Sequence, residues 1–322
     1  MNARSLSSVT VGDLPVSGTP RQKFEFAVKY AALAPTESNW QPWYFRVADT
    51  YLELMTKKNP AREAADPELR GFMIGCGSAL LYLKLALRRI GCLGRVALFP
   101  DLEQPALVAR IHLGFCGERD AQEKLLFEAM PGSSPGVSPL GESPITETML
   151  AALGHGAAGE CAWLDFVQSE MSWQHVLKTT LSNGQGWENF ISRARLSIGF
   201  GGRNIHLWDG AIAPIQQPAV STATLAVVKT KTDDKRGWLE AGQMLARTVL
   251  QAQALGIPWA FFDPVRRREA REALRIGVGH KGFAQVILRF GGHNIHKWDG
   301  TVASVRHSAV SMVRSALSSQ TG

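Results

Sequence analysis

The sequence predicts a layered fold of helices and short strands, of the α/β or α+β class. Two long apolar stretches with helical periodicity, at 69–90 and 236–255, predict buried helices. Short apolar runs bounded by turn residues, such as 43–47 and 283–290, predict strands. Because helices alternate with strands along most of the chain, we expect the helices to pack on sheets in layers.

The first predicted elements are a helix, a hairpin and a second helix. Helical spacing of apolar residues over 21–33 predicts the first helix, and strands are predicted at 43–47 and 51–54. Asp66 is predicted to cap the second helix, with Pro67 at its first position. The glycines inside this helix imply that another segment approaches its backbone closely.

The rest of the chain continues the alternation after one clear interruption. Residues 131–144, PGSSPGVSPLGESP, are rich in Pro, Gly and Ser and predict a loop or linker. The region through Trp163, Trp173 and Trp187 is predicted to be irregular. The other predicted elements are strands at 95–100 and 106–113, a helix at 146–153, a strand at 225–230, a helix at 236–255, a strand at 259–262, a helix at 265–274 and a strand at 283–290.

Composition and charge exclude several classes of protein. The 322 residues carry a formal net charge of +7, but the basic residues are scattered, so a nucleic-acid partner is not expected. A basic surface suits an anionic small molecule, such as one bearing phosphate. The four cysteines have no C-x-x-C spacing and are expected to be reduced thiols of a cytoplasmic protein. No stretch looks long and apolar enough for a membrane span, which needs roughly 18 residues.

An internal repeat is the most unusual feature of the sequence. FGGRNIHLWDG at 200–210 and FGGHNIHKWDG at 290–300 agree at nine of eleven positions. The histidines and tryptophans of this phrase are candidate catalytic residues: His206, Trp208, His296 and Trp298. Such histidines either converge on a metal or cap turns beside the tryptophans. We favour the second role, and no metal site is predicted.

The segment 34–43, APTESNWQPW, concentrates hydrogen-bonding groups between the first helix and the first strand. Amide side chains offer both a donor and an acceptor, which suits the imide edge of a heterocycle. The usual signatures of phosphate loops, dinucleotide folds, zinc proteases and serine hydrolases are absent. This loop is therefore the best candidate for a ligand site.

Four segments resemble the nitroreductase superfamily of FMN-dependent oxidoreductases. AALAPTESNWQPWYFRV is similar to its APSxxNxQPWxF phrase, and DPELRGFMIGCGSALLYLKLAL to a pattern of its Acg-like branch. LEAGQMLARTVLQAQALGIPWAFFDP and FAQVILRFG resemble the branch's second buried helix and final strand. The resemblance runs from about residue 21 to residue 310.

The resemblance implies an α+β fold whose mixed or antiparallel sheet is sandwiched by helices. Two fused half-units are implied, at 21–130 and 145–312, joined by the loop 131–144 and flanked by flexible ends at 1–20 and 313–322. FMN is implied as cofactor, NAD(P)H as possible electron donor, and a homodimer or single-chain pseudo-dimer as assembly. The implied cofactor-binding residues are Pro35, Thr36, Glu37, Asn39, Gln41, Trp259, Ala260, Phe261, Arg289 and Arg306.

The chain departs from the family where FMN phosphate should bind. The family has an Arg-rich phrase before the segment that corresponds to 142–153, whereas residues 131–141 here contain neither Arg nor Lys. Glu37 also replaces a small hydroxyl residue. Either the serines and backbone amides of this loop replace the arginines, helped by Arg203, Arg289, Lys297 or Arg306, or the site has lost FMN.

Three functions follow from these alternatives. The first is an FMN-dependent oxidoreductase that reduces or dehydrogenates a small organic substrate by flavin hydride transfer, with no acid–base triad required. The second is a non-catalytic protein that binds or sequesters a flavin or related ligand. The third is a flavin-free enzyme whose repeated His and Trp side chains line a new site.

Overall fold

A computed structural model describes residues 14–36, 40–57, 59–115, 120–132, 145–156, 161–167, 197–200, 203–208, 211–215, 224–257, 259–262, 268–277 and 281–290. Helices and antiparallel sheets make up these residues, which confirms the predicted α+β class. Two compact units divide the chain, one within Met1–Ser133 and the other within Ser134–Gly300. Each unit has its own four-stranded sheet.

The first unit contains four α-helices, one short 3₁₀ helix (Met130–Gly132) and four strands in its described part. In chain order they are α1 (Pro20–Ala31), β1 (Trp43–Val47), β2 (Tyr51–Thr56), α2 (Pro60–Ala65), α3 (Arg70–Arg89), β3 (Leu93–Leu98), β4 (Leu107–Leu113) and α4 (Ala121–Ala129). The strands form an antiparallel sheet in the order β1-β2-β4-β3. The short helices α2 and α4 were not among the predicted elements.

Local capping explains where α1 begins. The Gln22 amide N–H donates to the Thr19 hydroxyl, and the Gln22 side chain accepts from the Thr19 amide at 2.8 Å, which forms a capping box. Pro20 occupies the first turn, where its missing N–H is not needed. The helix then buries Phe24, Ala27 and other apolar side chains.

The beginning of α3 differs from the sequence prediction. The helix starts at Arg70 rather than at Pro67, because Leu69 adopts a left-handed conformation with φ of 58° at its N-cap. Asp66 still serves the helix: its carboxylate accepts from the Arg70 amide at 3.1 Å and from the Gly71 amide at 2.8 Å. The predicted cap is therefore right in residue but wrong in helical position.

The core of the first unit is built around α3. Sixteen of its twenty residues are buried, and it contacts α1, α4 and every strand of the sheet. Among the described helices, α3 has the length and hydropathy of a membrane span, contrary to the expectation from sequence. Nearly all of the apolar stretch of α3 is buried in the first unit, and burial in a protein core accounts for its apolar composition.

A buried carboxylate ties three strands of this sheet together. Glu53 on β2 is only 1% exposed and accepts from Arg46 on β1 and from Arg110 on β4. The three residues face one another across the sheet, since Arg46 pairs with Glu53 and Glu53 with Arg110. Arg110 also stacks on Tyr51, and the hydrogen bond to Glu53 raises the pKa of its guanidinium. The carboxylate thus fixes the pairing of β1, β2 and β4.

The second unit carries its own sheet and three described helices. Its elements are α5 (Glu147–Gly156), β5 (Ala162–Phe166), β6 (Ser197–Phe200), β7 (Arg203–Trp208), β8 (Ala211–Ile215), β9 (Thr224–Thr230), α6 (Lys235–Ala254), β10 (Trp259–Phe262), α7 (Arg268–Gly277) and β11 (Phe283–Phe290). The main sheet has the order β10-β11-β9-β5, and all its pairings are antiparallel. Strand β5 corrects the prediction that the region around Trp163 is irregular, because alternate residues of Ala162–Phe166 are buried.

The first copy of the repeat forms a separate three-stranded meander. Phe200 of β6 pairs with Arg203 of β7, and Trp208 of β7 pairs with Ala211 of β8. The middle of the phrase is thus a strand, whereas 201–202 and 209–210 lie outside the described residues, so the turns stay a prediction. The second copy beyond Phe290 lies outside the described residues.

A second buried carboxylate joins the elements of this unit. Asp233 accepts from the Trp238 indole on α6 at 2.7 Å, from Arg271 on α7 at 2.9 Å and from Gln285 on β11 at 3.1 Å. Arg271 is 1% exposed and Asp233 5%. Burial alone would raise the pKa of the Asp233 carboxyl, but the hydrogen bonds from Trp238, Gln285 and Arg271 outweigh it and lower that pKa. The folded structure therefore holds the Asp233 carboxylate in its ionised form.

We predict that Asp233→Asn destabilises the protein by about 3–5 kcal/mol, because it removes the carboxylate that pairs with the buried Arg271 guanidinium at 2.9 Å. Asp233 contributes to the free energy of unfolding through its ionised form. This contribution is fully present above the ordinary carboxyl pKa of 3.8 and is lost as the pH falls through the lowered pKa of the folded state. Urea unfolding between pH 3 and pH 7 measures both effects. The variant should lack this part of the acid dependence.

Glu25→Gln is the matched control, since Glu25 pairs with Arg21 on the exposed surface of α1. An exposed pair of this kind contributes less than about 1 kcal/mol. Equal destabilisation by the two substitutions would contradict the role given to Asp233.

Candidate functional site

The candidate loop between α1 and β1 is partly described. Pro35 is buried and Thr36 is partly exposed, directly after the last turn of α1. Glu37 and Asn39, two of the predicted cofactor-binding residues, lie outside the described residues. The loop resumes at Trp40 and enters β1 at Trp43.

Two polar atoms of this loop are buried without a hydrogen-bond partner. The Gln41 side chain donates through Nε2 to the Ala32 carbonyl at 2.7 Å, which fixes its orientation, while its Oε1 has no partner. The Trp43 indole Nε1 is also buried and unpaired, and the side chain is 1% exposed. A buried polar group without a partner is uncommon in native structures and indicates a missing water, ion or ligand. The loop thus holds one acceptor and one donor ready for another group.

A glycine of α3 determines how closely this loop packs on the core. A Cβ atom at Gly75 would lie 2.6 Å from Pro42 Cγ and 3.4 Å from the Trp43 ring. Side chains do not tolerate a contact of 2.6 Å, so only glycine allows this approach. The prediction that a segment packs against the glycines of this helix is confirmed at Gly75.

Trp40 lies between two side chains from neighbouring helices. The Arg62 guanidinium of α2 stacks over its ring at 4.6 Å from the centroid. Phe72 of α3 contacts the same indole, with ring centroids 4.8 Å apart. Sequence reasoning did not single out Arg62, because nothing in its local pattern indicates a contact with a tryptophan 22 positions earlier. The sequence signals for the loop were the hydrogen-bonding groups of the segment 34–43 and its resemblance to the family phrase.

The predicted residues of the second unit lie on adjacent strands. Trp259, Ala260 and Phe261 belong to the edge strand β10, and Arg289 belongs to its neighbour β11. Ala260 pairs directly with Arg289, so these two residues share one face of the sheet. Trp259 and Phe261, two positions apart, have ring centroids separated by 6.3 Å.

Arg289 is a buried cation without a counter-ion among the described residues. It is 9% exposed, its Nε has no hydrogen-bond partner, and its cross-strand neighbours are the apolar Ala260 and Leu225. None of the ion pairs between described residues includes it. Burial lowers the pKa of the guanidinium to about 10, which still leaves it charged at neutral pH. A buried charge of this kind requires an anion.

The remaining candidates are not tested by side-chain geometry. The backbones of His206 and Trp208 lie in β7, whereas His296, Trp298 and Arg306 lie outside the described residues. Within the described ranges, no three His, Cys, Asp or Glu side chains come together in a way that could hold a metal ion. The catalytic candidates therefore stay predictions.

Comparison with known proteins gives an independent result. The chain is 26% identical over 305 residues to "Putative NAD(P)H nitroreductase Rv3131" of Mycobacterium tuberculosis, with 86% of each chain covered. It is 28% identical over 289 residues to "Putative NAD(P)H nitroreductase acg" of the same organism, with 82% of this chain and 87% of the relative covered. The chain is nitroreductase-like. This result confirms the resemblance found in the sequence, although no protein-family model matches the chain.

The nitroreductase-like relationship covers both units. An alignment over 82–86% of the chain requires matches on each side of the boundary at Ser133. Part of each unit is therefore related to these proteins.

We predict that Gly75→Ala destabilises the protein by about 1–3 kcal/mol, because the new methyl group overlaps Pro42 and overpacks the core. Gly154→Ala on α5 is the control, since its Cβ would meet Phe166 at 3.5 Å, an ordinary contact. That variant should be neutral or gain up to about 1 kcal/mol from helix propensity. Thermal and urea unfolding compare the two, and a neutral Gly75→Ala would contradict the close approach of the loop.

Proposed function

We propose that this protein is an NAD(P)H-dependent oxidoreductase that binds FMN and reduces a small organic substrate. The names of the relatives support an oxidoreductase of the nitroreductase type. Each unit has polar groups of the kind that such a cofactor needs: Gln41 and Trp43 in the first unit, and Arg289 in the second. When bound, FMN would supply the hydride chemistry, and the protein would hold and orient the reactants.

The buried charge of Arg289 is the observation that carries this proposal. FMN bears a phosphate, and a guanidinium binds phosphate through two parallel hydrogen bonds. Arg289 has the charge, the burial and the unused Nε donor for such a contact. The chemistry of this side chain therefore fits the anionic group of FMN.

The loop of the first unit fits the polar edge of a flavin. The flavin ring system presents an imide N–H and carbonyl oxygens. Gln41 Oε1 is a suitable acceptor for the N–H, and Trp43 Nε1 is a suitable donor for a carbonyl oxygen. We propose that Pro35 and Thr36 belong to the same contact surface, as the resemblance implies, together with Glu37 and Asn39. In the second unit, we propose Trp259, Ala260 and Phe261 as further cofactor-binding residues, as the resemblance implies.

A second function is favoured by one sequence observation. Residues 131–141 contain no Arg or Lys, although the family places its phosphate-binding arginines there. A protein with fewer phosphate ligands could hold the flavin without turning it over. The alternative is thus a protein that binds or sequesters a flavin or related ligand without catalysis.

A redox titration separates the two functions. We expect purified protein reconstituted with FMN to lose its flavin absorbance on addition of NADPH or NADH, and to regain it when a nitroaromatic compound is added. Bound FMN that neither donor reduces would favour sequestration. Protein that takes up no FMN at all would rule out the FMN-dependent oxidoreductase and the sequestration of FMN.

We predict that Arg289→Met weakens FMN binding by about 10- to 100-fold, the worth of a charged hydrogen bond. Riboflavin, which lacks the phosphate, should bind both proteins equally. Fluorescence titration of the two flavins gives the comparison. The same substitution should raise the free energy of unfolding of the ligand-free protein, because it removes an unpaired buried charge.

Arg88→Met is the matched control, since Arg88 is exposed and pairs with Glu123 on the surface. It should change neither flavin affinity. An equal loss of FMN and riboflavin affinity in Arg289→Met would mean that Arg289 supports the fold rather than a phosphate.

A further inference from the structure

The stack formed by Trp40, Arg62 and Phe72 is not used by the function proposed above. It lies in the first unit, beside the loop that carries Gln41 and Trp43. Trp40 and Arg62 are both partly exposed, so the outer surface of the stack is accessible. A guanidinium on an indole ring is held in one plane by the cation–π contact.

The charge of Arg62 is not neutralised by the described carboxylates around it. Glu63 accepts from the Asn59 amide at 2.9 Å, and Asp66 accepts from two amides at the start of α3. Arg62 takes part in none of the ion pairs between described residues. Its only described side-chain contact is with the Trp40 ring.

Stacking prepares a guanidinium for binding an anion. The guanidinium carbon of Arg62 lies 4.6 Å from the centroid of the indole, and the five N–H donors of a guanidinium can meet two oxygen atoms at once. Little side-chain entropy remains to be lost, because the ring contact already restricts Arg62. The formal charge of +7 on the chain attracts anionic ligands toward such a group.

We propose that Trp40 and Arg62 form an anion clamp that selects aromatic ligands carrying a carboxylate or phosphate. Arg62 binds the anionic oxygens, and the exposed edge of Trp40 contacts the ring of the ligand. Anion binding by the clamp does not depend on the proposed function, but its role in a reaction does. In the proposed reaction, Arg62 is a specificity-determining residue for the substrate or for the nicotinamide donor.

Binding of matched probes tests the clamp without requiring catalysis. Calorimetric titration of the full-length protein compares 4-nitrobenzoate with 4-nitrobenzamide, which differ in charge but little in shape. We expect the anion to bind about tenfold or more tightly than the amide, the worth of a charged hydrogen bond. Arg62→Gln should abolish this preference. Arg62→Lys should keep part of it, because lysine retains the charge but not the planar fork.

Arg21→Gln removes an exposed positive charge on α1 and should leave the preference unchanged. Equal binding of the two probes by the unsubstituted protein, or a preference that survives in Arg62→Gln, would overturn the proposal. Anion preference without any NAD(P)H-dependent reduction would leave the clamp standing and refute the proposed activity.

The source of the anion is decided in the reconstituted enzyme. If a substrate carboxylate occupies the clamp, Arg62→Gln raises the KM for 4-nitrobenzoate about tenfold or more and leaves kcat unchanged. The preference of the enzyme for NADPH over NADH then stays the same. If a donor phosphate occupies it, the substitution instead removes a preference for NADPH. If Arg62→Gln changed neither the KM for 4-nitrobenzoate nor the KM for NADPH, the clamp would be contradicted.

Discussion

Both units depend on the pairing of buried charge. Glu53 joins β1, β2 and β4 through two arginines, and Asp233 joins α6, α7 and β11 through an indole, a guanidinium and an amide. Glu53 binds donors from two neighbouring strands and Asp233 binds donors from three elements, so removal of either carboxylate breaks several hydrogen bonds at once. Apolar burial around α3 and α6 provides the bulk of the cores and favours strand registers that keep apolar residues on the buried face. Glu53 adds a polar constraint on register, because its two arginine partners lie directly opposite it on β1 and β4.

Arg289 departs from this rule, and the departure indicates a ligand. Its side chain is only 9% exposed, yet no described carboxylate pairs with it. The unpaired Gln41 Oε1 and Trp43 Nε1 are similar exceptions in the first unit. Arg89 Nε is a fourth buried atom without a partner, and each such group in a native structure calls for an explanation such as a water, an ion or a ligand. Together with the similarity to nitroreductases, these exceptions support binding of an anionic, heterocyclic cofactor.

Much of the fold could be predicted from the sequence, because it follows from local patterns. Helix α6 and strands β10 and β11 were predicted within one residue, since apolar periodicity and the Gly256 turn define them. The short helices α2 and α4 were missed because their exposed faces are polar and their lengths allow few periodic positions. The start of α3 was misplaced because Leu69 adopts a left-handed conformation, which propensity disfavours.

The candidate site was harder to predict than the fold. The loop 34–43 was recognised through its phrase, but the stacking of Arg62 on Trp40 and the isolation of Arg289 depend on contacts between distant parts of the chain. Those contacts carry no local signature. The isolation of Arg289 also bears on the life of the protein in a cell. A ligand that pairs this charge adds to the free energy of unfolding in proportion to RT ln(1 + [L]/Kd). The quantity of folded protein would then rise and fall with the supply of that ligand, because unfolded chains are removed by proteolysis.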